Sequence, residues 1–106
     1  MSRKSQGRFQ RFVSPYADED FEWDPVKSDL TFAERDMMFY VARMAFRGRL
    51  LRRMDARKNY GETRYQVLGE VSGKGIIHIV YTPRRGKCRI ISVRPATVEE
   101  RNVYFT

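Results

Sequence analysis

The spacing of hydrophobic residues changes from a helical to a strand period near the middle of the chain. Between Met37 and Phe46, apolar residues recur three and four positions apart, which predicts a helix with one buried face. Apolar and polar residues alternate from Thr63 to Val71, and Ile76 to Thr82 is rich in β-branched and aromatic residues. We therefore expect helices in the first half of the chain and strands in the second.

Shorter signals add elements on either side of these segments. Asp24 followed by Pro25 predicts a helix start, because Asp is a favoured N-cap and Pro fits the first helical position. This first helix is expected to end near Arg35. Phe21 to Trp23 is a candidate strand before it, and Leu50 to Ala56 is another strand after the second helix.

The last predicted strand, Arg89 to Pro95, carries a cation at its end. Because side chains alternate across a strand, Ile91 and Val93 are expected on one face. Ile90 and Arg94 then share the opposite face. The terminal proline ends the strand, since it cannot donate to a β-ladder. A guanidinium held at a strand end can bind a phosphate group.

The C-terminal half also contains turn and capping signals. Thr97 and Glu100 have the spacing of a capping box and predict a short helix, Val98 to Tyr104. Two glycine-containing turns, Ser72 to Gly75 and Pro83 to Lys87, join consecutive strands as hairpins. The expected fold is α+β, with two N-terminal helices packed on an antiparallel sheet of about four strands and a short C-terminal helix. The helices cover one face of the sheet, and cations line the other.

The composition indicates a single basic domain with an anionic partner. The chain has 106 residues and a formal net charge of +8, which favours nucleic acid, a membrane surface or an acidic protein as partner. Residues 1–20 are expected to form a flexible arm, and residues 21–106 the domain. No apolar stretch is long enough to span a bilayer and no signal-peptide pattern opens the chain, so we expect a cytoplasmic location.

A single cysteine and a single histidine limit the possible chemistry. One cysteine, Cys88, excludes an internal disulfide and a cysteine-based metal cluster, and it is expected to be a small packed residue. One histidine, His78, excludes acid–base catalysis by two histidines within the chain, and we expect it to be an ordinary strand residue. The sequence therefore predicts no metal site and no cofactor.

Several separated segments, taken in their order along the chain, resemble one family. They are Phe21 to Lys27, then Phe39, Ala42 and Phe46, then Arg57, Tyr60 to Arg64 and Gly69, then Tyr81, Thr82 and Arg84, then Arg89 to Thr97, and finally Glu100, Arg101 and Tyr104. In this combination the chain resembles the BrnT toxins, the ribonuclease half of bacterial BrnT/BrnA toxin–antitoxin systems. The resemblance covers Phe21 to Tyr104. It implies a RelE-like fold, an RNA substrate and a partner that is a BrnA-like antitoxin, a small DNA-binding protein.

One segment departs from the family pattern. The family usually carries Asn-x-x-Lys-His-Gly late in the first helix, where this chain reads Thr31 to Asp36. Glu34 takes the place of the lysine, and Arg35 takes the place of the histidine. If the family's histidine transfers protons, that function is lost here; if it only contacts phosphate, Arg35 can substitute for it.

The residue types present suit RNA cleavage without a metal. When the RNA 2′-hydroxyl attacks the adjacent phosphorus, negative charge develops on the phosphoryl oxygens, and fixed cations stabilise it. The predicted cations are Lys27, Arg64 and Arg94, and the candidates for proton transfer are Glu62 and Tyr104. The alternative for Glu62 is a salt bridge to Arg57 or Arg64, and the alternative for Tyr104 is packing between helix and sheet.

Further residues are predicted to hold the RNA chain. The backbone-binding cations are Arg35, Arg57, Arg84, Arg85 and Lys87, and the tyrosines that could stack on unpaired bases are Tyr60, Tyr65 and Tyr81. The alternative for each tyrosine is packing in the core, which is the more common role of aromatic residues in strands. Three functions stay open. The cations and the family segments favour a metal-independent endoribonuclease toxin. The altered segment Thr31 to Asp36 favours an RNA-binding or regulatory protein that does not cleave. The charge alone also fits a basic domain that binds an acidic protein.

Overall fold

A computed structural model describes residues 6–106 of the chain. Arg3 and Lys4, which belong to the predicted arm, lie outside the described residues. The strands are β1 (Gln10–Phe12), β2 (Phe21–Trp23), β3 (Leu50–Met54), β4 (Tyr65–Val71), β5 (Gly75–Arg84) and β6 (Lys87–Pro95). The helices are α1 (Pro25–Arg35), α2 (Phe39–Ala42) and α3 (Val98–Tyr104), with 3₁₀ segments at Asp18–Asp20 and Arg43–Arg47. The predicted α+β class is confirmed.

The strands form one mixed sheet in the order β1-β3-β4-β5-β6-β2. The prediction of about four antiparallel strands was wrong in number and in direction. The four consecutive strands β3 to β6 are antiparallel as expected, but β2 pairs with β6 in parallel and β1 adds to the opposite edge beside β3. Both additional strands have only three residues. Strand β2 has the bounds of the predicted candidate strand Phe21 to Trp23, whereas β1 was not predicted, because three residues are too few to show a clear period in the sequence.

The predicted start of α1 is confirmed, and its cap explains it. The Asp24 carboxylate accepts a hydrogen bond from the Val26 backbone nitrogen at 2.9 Å, and Pro25 is the first helical residue. The helix ends at Arg35, where the sequence placed its end. Asp36 follows with a left-handed φ of 53° and caps the helix by donating its backbone N–H to the Phe32 carbonyl.

The second N-terminal helix is shorter than the predicted range of Met37 to Phe46. Only α2 is α-helical, and the chain continues as the 3₁₀ segment to Arg47. Phe39, Ala42 and Ala45 are all 0% exposed and lie three residues apart. A 3₁₀ helix has three residues per turn, so this spacing keeps all three side chains on the face that packs against the sheet.

The main core lies between the sheet and the α2 region. Its buried side chains include Phe39, Ala42, Ala45, Phe46, Leu50, Val67, Ile77, Ile79, Tyr81, Cys88, Ile90 and Val93. A smaller cluster on the opposite face joins Tyr104 of α3 to Leu51, Leu68 and Ile76. The predicted burial of Cys88 is confirmed. Helix α3 contacts part of this face, and the polar residues Gln66, His78 and Thr82 on the same face are buried as well.

A β-bulge in β6 changes which residues of this strand enter the core. Val80 pairs with Ser92 but its neighbour Tyr81 pairs with Ile90, so Ile91 is an extra residue. As a result Ile90 and Val93 both lie in the core. The prediction that Ile91 shares a face with Val93 was therefore wrong, because the alternation shifts by one residue at the bulge.

The described part of the predicted arm, residues 6–20, contacts the sheet. Strand β1 pairs with β3, and the Arg52 guanidinium lies 3.9 Å from the Phe12 ring centroid. The Arg53 guanidinium lies 4.1 Å from the ring centroid of Phe9. Cation–π contacts of this kind stabilise the attachment of the segment. Within residues 6–106, no helix is long and apolar enough to cross a membrane.

Candidate active site

The part of the sheet that α3 leaves uncovered presents polar side chains from the three central strands. We call it the open face and define it by Gln66, His78, Thr82, Ser92 and Arg94, of which Gln66, His78 and Thr82 are buried and Ser92 and Arg94 are partly exposed. His78 pairs with Arg94 across β5 and β6, and Val80 between His78 and Thr82 pairs with both Gln66 and Ser92. Cross-strand neighbours lie on the same side of a sheet, so these side chains converge.

Arg94 is held by a carboxylate from α3. Its Nη1 and Nη2 atoms donate to the two oxygens of Glu100 at 2.7 and 2.9 Å. The same Glu100 accepts from the backbone nitrogen of Thr97 at 2.9 Å and completes the predicted capping box. Burial raises the pKa of Glu100, but the hydrogen bonds from Arg94 and Thr97 outweigh it and lower the pKa to about 2. Glu100 is therefore ionised at neutral pH.

His78 lies beside Arg94 and Glu100 on the open face. Its Nε2 is 3.2 Å from Oε1 of Gln66 and 3.9 Å from Oε2 of Glu100. Arg53 donates to the same Gln66 oxygen at 3.0 Å. Burial, and then the positive charge of Arg94, lower the pKa of His78 to about 4. The imidazole is therefore neutral at pH 7, and because the amide oxygen of Gln66 only accepts, Nε2 carries the hydrogen.

Glu62 accepts hydrogen bonds from two predicted site arginines at the other end of the open face. It accepts from Nε of Arg64 at 3.0 Å and from Nη2 of Arg84 at 3.2 Å. The Arg64 guanidinium also lies 4.3 Å from the ring centroid of Tyr60. The hydrogen bond from Arg64 lowers the pKa of Glu62. The predicted alternative, a salt bridge to Arg64, is thus present in the structure.

Arg57 has a different partner from the one predicted. Its Nε and Nη2 atoms donate to Asp55 at 2.8 and 2.7 Å, and the Tyr60 hydroxyl donates to the same carboxylate at 3.1 Å. Burial raises the pKa of Asp55, but the hydrogen bonds from Arg57 outweigh it, so the pKa lies well below its usual value. Arg57 is, with Arg94, Glu100 and Arg53, among the charged groups that shift the pKa of His78, and we call these four groups the central cluster.

The remaining predicted cations lie outside this cluster. Lys27 is exposed on α1 and has no hydrogen bond or ion pair within residues 6–106. Arg35 donates from Nη1 to the backbone carbonyl of Val93 at 2.8 Å. Arg85, with a φ of 53°, and Lys87 are exposed in the β5–β6 hairpin beside Arg84.

The tyrosines are mainly part of the packing. Tyr104 is 5% exposed, and its hydroxyl donates to the Arg49 carbonyl at 2.8 Å. Tyr81 is 0% exposed, so it belongs to the core, as expected for an aromatic residue in a strand, and it does not present its ring to a base. Tyr65 packs against it with ring centroids 5.5 Å apart. Tyr60 lies at the open face, where its ring contacts the Arg64 guanidinium.

The sequence did not identify four residues as part of the site: Asp55, Gln66, His78 and Glu100. His78 was expected to be an ordinary strand residue, and Glu100 was expected to cap α3. The two-residue spacing of Asp55 and Arg57 was the one available signal for Asp55. The others meet only through strand pairing and the position of α3. In the described part of the chain, no three His, Cys, Asp or Glu side chains are grouped to hold a metal ion.

The arrangement provides fixed positive charge on an open surface. Arg53, Arg57 and Arg94 are all held by hydrogen bonds, and Arg64 and Arg84 are held by Glu62. Cations that are already oriented stabilise developing negative charge without reorganising first. Such a surface suits a polyanion whose phosphates reach the sheet.

Comparison with known proteins gives one family. A family model described as "Ribonuclease toxin, BrnT, of type II toxin-antitoxin system" matches residues 23–100, well over half of the chain. No curated protein matches. The matched range includes every strand of the open face and the start of α3, where Glu100 lies.

Proposed function

Because the chain belongs to the BrnT family of ribonuclease toxins from type II toxin–antitoxin systems, we propose that it cleaves RNA on the open face. The 2′-hydroxyl attacks the adjacent phosphorus without a metal, the bond to the 5′-oxygen breaks, and the products carry a 2′,3′-cyclic phosphate and a 5′-hydroxyl. The attacking hydroxyl loses a proton, and the departing oxygen gains one.

The observation that carries this proposal is the position of Arg94. It lies on the open face, paired in register with the buried neutral His78, and its guanidinium is oriented by Glu100. Charge that develops on the phosphoryl oxygens is stabilised most by donors that are already in place. Losing one such donor costs about 2.7–4 kcal/mol of barrier in a comparable oxyanion site.

Arg64 and Lys27 are proposed as further cations at the reacting phosphate. Arg64 is held by Glu62 and Tyr60 at the same face. Lys27 lies on α1 and, within residues 6–106, bonds neither to the Arg94–Glu100 pair nor to the Arg64–Glu62 pair. The proton-transfer roles of Glu62 and Tyr104 stay predictions. The contacts of Glu62 favour its alternative role as a counterion, and those of Tyr104 favour packing.

RNA binding is proposed to use the arginine-rich edge of the same face. Arg84, Arg85 and Lys87 lie together in the β5–β6 hairpin, and Arg57 lies in the central cluster. Each phosphate that they neutralise releases counterions, so the affinity should fall as salt rises. Arg35 is also proposed to contact the backbone, although its Nη1 is already bonded to the Val93 carbonyl.

The proposed partner is a BrnA-like antitoxin, and the proposed location is the cytoplasm. The family description names a type II system, in which the toxin is paired with an antitoxin. Co-expression with the antitoxin from the same operon should restore growth of cells that produce this chain. Growth inhibition that persists despite a folded, co-purifying antitoxin would contradict this part of the proposal.

The cleavage proposal is tested with one RNA oligonucleotide and a DNA oligonucleotide of the same sequence. We expect cleavage of the RNA alone, unaffected by chelator, with cyclic phosphate ends detected by mass spectrometry. Arg94→Ala should lower kcat on the order of 10²–10³-fold, as expected for a lost oxyanion donor. Arg101→Ala is the matched control, because it removes an exposed arginine of α3.

Three outcomes would contradict the mechanism: cleavage of DNA, loss of activity in chelator, or full activity of Arg94→Ala. Because Arg94 also pairs with the largely buried Glu100, its removal is expected to lower the stability of α3. The folded fraction of Arg94→Ala therefore has to be measured by circular dichroism beside its activity.

A second candidate is an RNA-binding protein on the same scaffold that does not cleave. The favouring observation is the hydrogen bond from Arg35 to the Val93 carbonyl. It gives the residue at the family's histidine position a structural contact. Arg35→His decides between the two. A large gain in cleavage rate would identify a weakened enzyme, and RNA binding without cleavage in both proteins would favour the second candidate.

A further inference from the structure

We propose that Glu100 is a positioning residue that turns one edge of the Arg94 guanidinium toward the open face, where it binds a single phosphate group. The inference rests on the proposed function in taking RNA as the source of that phosphate. It adds a residue of α3 to the site and assigns it a role distinct from charge stabilisation.

Counting donors identifies the available edge of Arg94. A guanidinium has five N–H donors in a fixed plane. Nη1 and Nη2 each donate once to Glu100, and Nη1 donates again to the Pro95 carbonyl at 3.1 Å. The N–H of Nε and the second N–H of Nη2 are left. These two lie side by side on one edge, and no acceptor within residues 6–106 bonds to Nε.

This edge has the geometry that recognises phosphate. Two parallel N–H groups of an arginine bind two oxygens of a phosphate as a fork. The Arg94 side chain is 32% exposed while that of Glu100 is 13% exposed, so the arginine is the more accessible partner of the pair. A phosphate can therefore bind without displacing Glu100.

Arg94 differs in this respect from the other two strongly paired arginines of the site. Arg57 uses Nε and Nη2, the same edge, to bind Asp55. Arg64 uses Nε to bind Glu62. Both would have to release their carboxylate before they could offer this edge to a phosphate. Among these three arginines, Arg94 is the one that is already oriented for two-point binding.

Glu100 can hold this orientation because it is fixed from several sides. It accepts from Thr97 at the start of α3, and α3 is anchored by the hydroxyl of Tyr104, which donates to the carbonyl of Arg49 just before β3. The neutral imidazole of His78 lies 3.9 Å from its second oxygen. The packing of α3 on the sheet thereby sets the direction of the Arg94 plane.

The test compares Glu100→Gln with the matched control Glu99→Gln. Gln keeps the length of the side chain and its bond to Thr97, but its NH₂ group opposes one N–H of Arg94, so the guanidinium must turn. Misplacing a catalytic group by about 1 Å costs on the order of 10²-fold in rate, so we expect a loss of that size in kcat with little change in KM. Glu99 is exposed, and Glu99→Gln should behave as wild type.

A second readout does not depend on cleavage. The ¹H–¹⁵N resonance of the Arg94 Nε–H group, identified by its loss in Arg94→Lys, is followed during titration with a 2′-O-methyl RNA oligonucleotide. We expect it to shift in wild type and Glu99→Gln, and to shift several-fold less at equal saturation in Glu100→Gln. Thermal unfolding of each variant checks that the comparison is made on folded protein.

The outcomes separate this inference from the proposed function. If wild type fails to cleave RNA but its Arg94 Nε–H resonance shifts as expected, the cleavage proposal falls and the phosphate site stands. If the resonance does not move in wild type, or if Glu100→Gln keeps the wild-type kcat and the wild-type shift, Glu100 does not position Arg94 and the inference is overturned.

Discussion

Replacing Glu62 by Gln should reveal whether this carboxylate transfers protons or restrains two arginines. In the free protein Glu62 accepts from Arg64 at 3.0 Å and from Arg84 at 3.2 Å. An RNA phosphate that binds either arginine has to compete with this carboxylate. The side-chain exposures are 28% for Glu62 and 45% for Arg84, so the pairs are partly screened by solvent.

The size of the effect follows from the number of arginines released. Partly exposed ion pairs of this kind contribute about 0.2–1 kcal/mol each, and RNA binding should gain up to that amount per pair when the carboxylate is removed. Each additional phosphate contact to a single strand adds about 0.7 to the slope of log affinity against log salt. Two released arginines should therefore steepen the slope by about 1.4.

The assay measures binding of 2′-O-methyl RNA at several salt concentrations, together with cleavage of the unmodified RNA. Glu70→Gln is the control, because Glu70 is exposed on β4 and has no hydrogen bond or ion pair within residues 6–106. A general base would behave differently from a counterion. Its loss would lower cleavage by about 10²–10⁴-fold and leave the salt slope unchanged, and that result would refute the counterion interpretation.

Two further predictions concern stability. Gly69→Ala should lower it by about 1–3 kcal/mol in a thermal unfolding experiment, because an added Cβ would lie 2.7 Å from Cδ2 of the buried Leu50 and 3.0 Å from Cβ of Ala45. Gly48→Ala, which meets nothing within 4 Å, should be near neutral, and equal losses in both variants would contradict the steric argument. Stability should also fall as the pH is lowered from about 6.5 to about 4, because His78 binds a proton in the unfolded chain at a higher pH than in the fold. In His78→Gln, the urea-denaturation midpoint should change less with pH over that range. An unchanged pH dependence of the midpoint would show that His78 is not responsible.

The parts of the fold that the sequence predicted correctly depend on local signals. The cap at Asp24, the capping box of α3 and the hairpin between β4 and β5 are each determined by residues a few positions apart. The four central strands also follow from local alternation. Strand β2 was predicted as Phe21 to Trp23, but its pairing with β6, the strand β1 and the 3₁₀ segments were missed, because they depend on what these segments pack against.

The candidate site was predicted in part for the same reason. Arg94 was identified because its strand and the following cap are adjacent in sequence. Its partner Glu100 was identified only as a capping residue, because a contact with a strand arginine depends on how α3 lies on the sheet. Arg57 forms its salt bridge with Asp55 and not with Glu62, and this depends on the backbone conformation just after β3. The burial of His78 beside Gln66 depends on the pairing of β4 with β5.

The bulge at Ile91 has a consequence for how the length of β6 can vary. A chain without Ile91 would alternate regularly from Cys88, with Ile90 and Val93 still facing the core and Arg94 still facing out. The insertion of one residue between Val93 and Arg94 would instead turn the arginine toward the core. Loss of the bulge residue would therefore leave Arg94 on the same face of the sheet, whereas an added residue between Val93 and Arg94 would not.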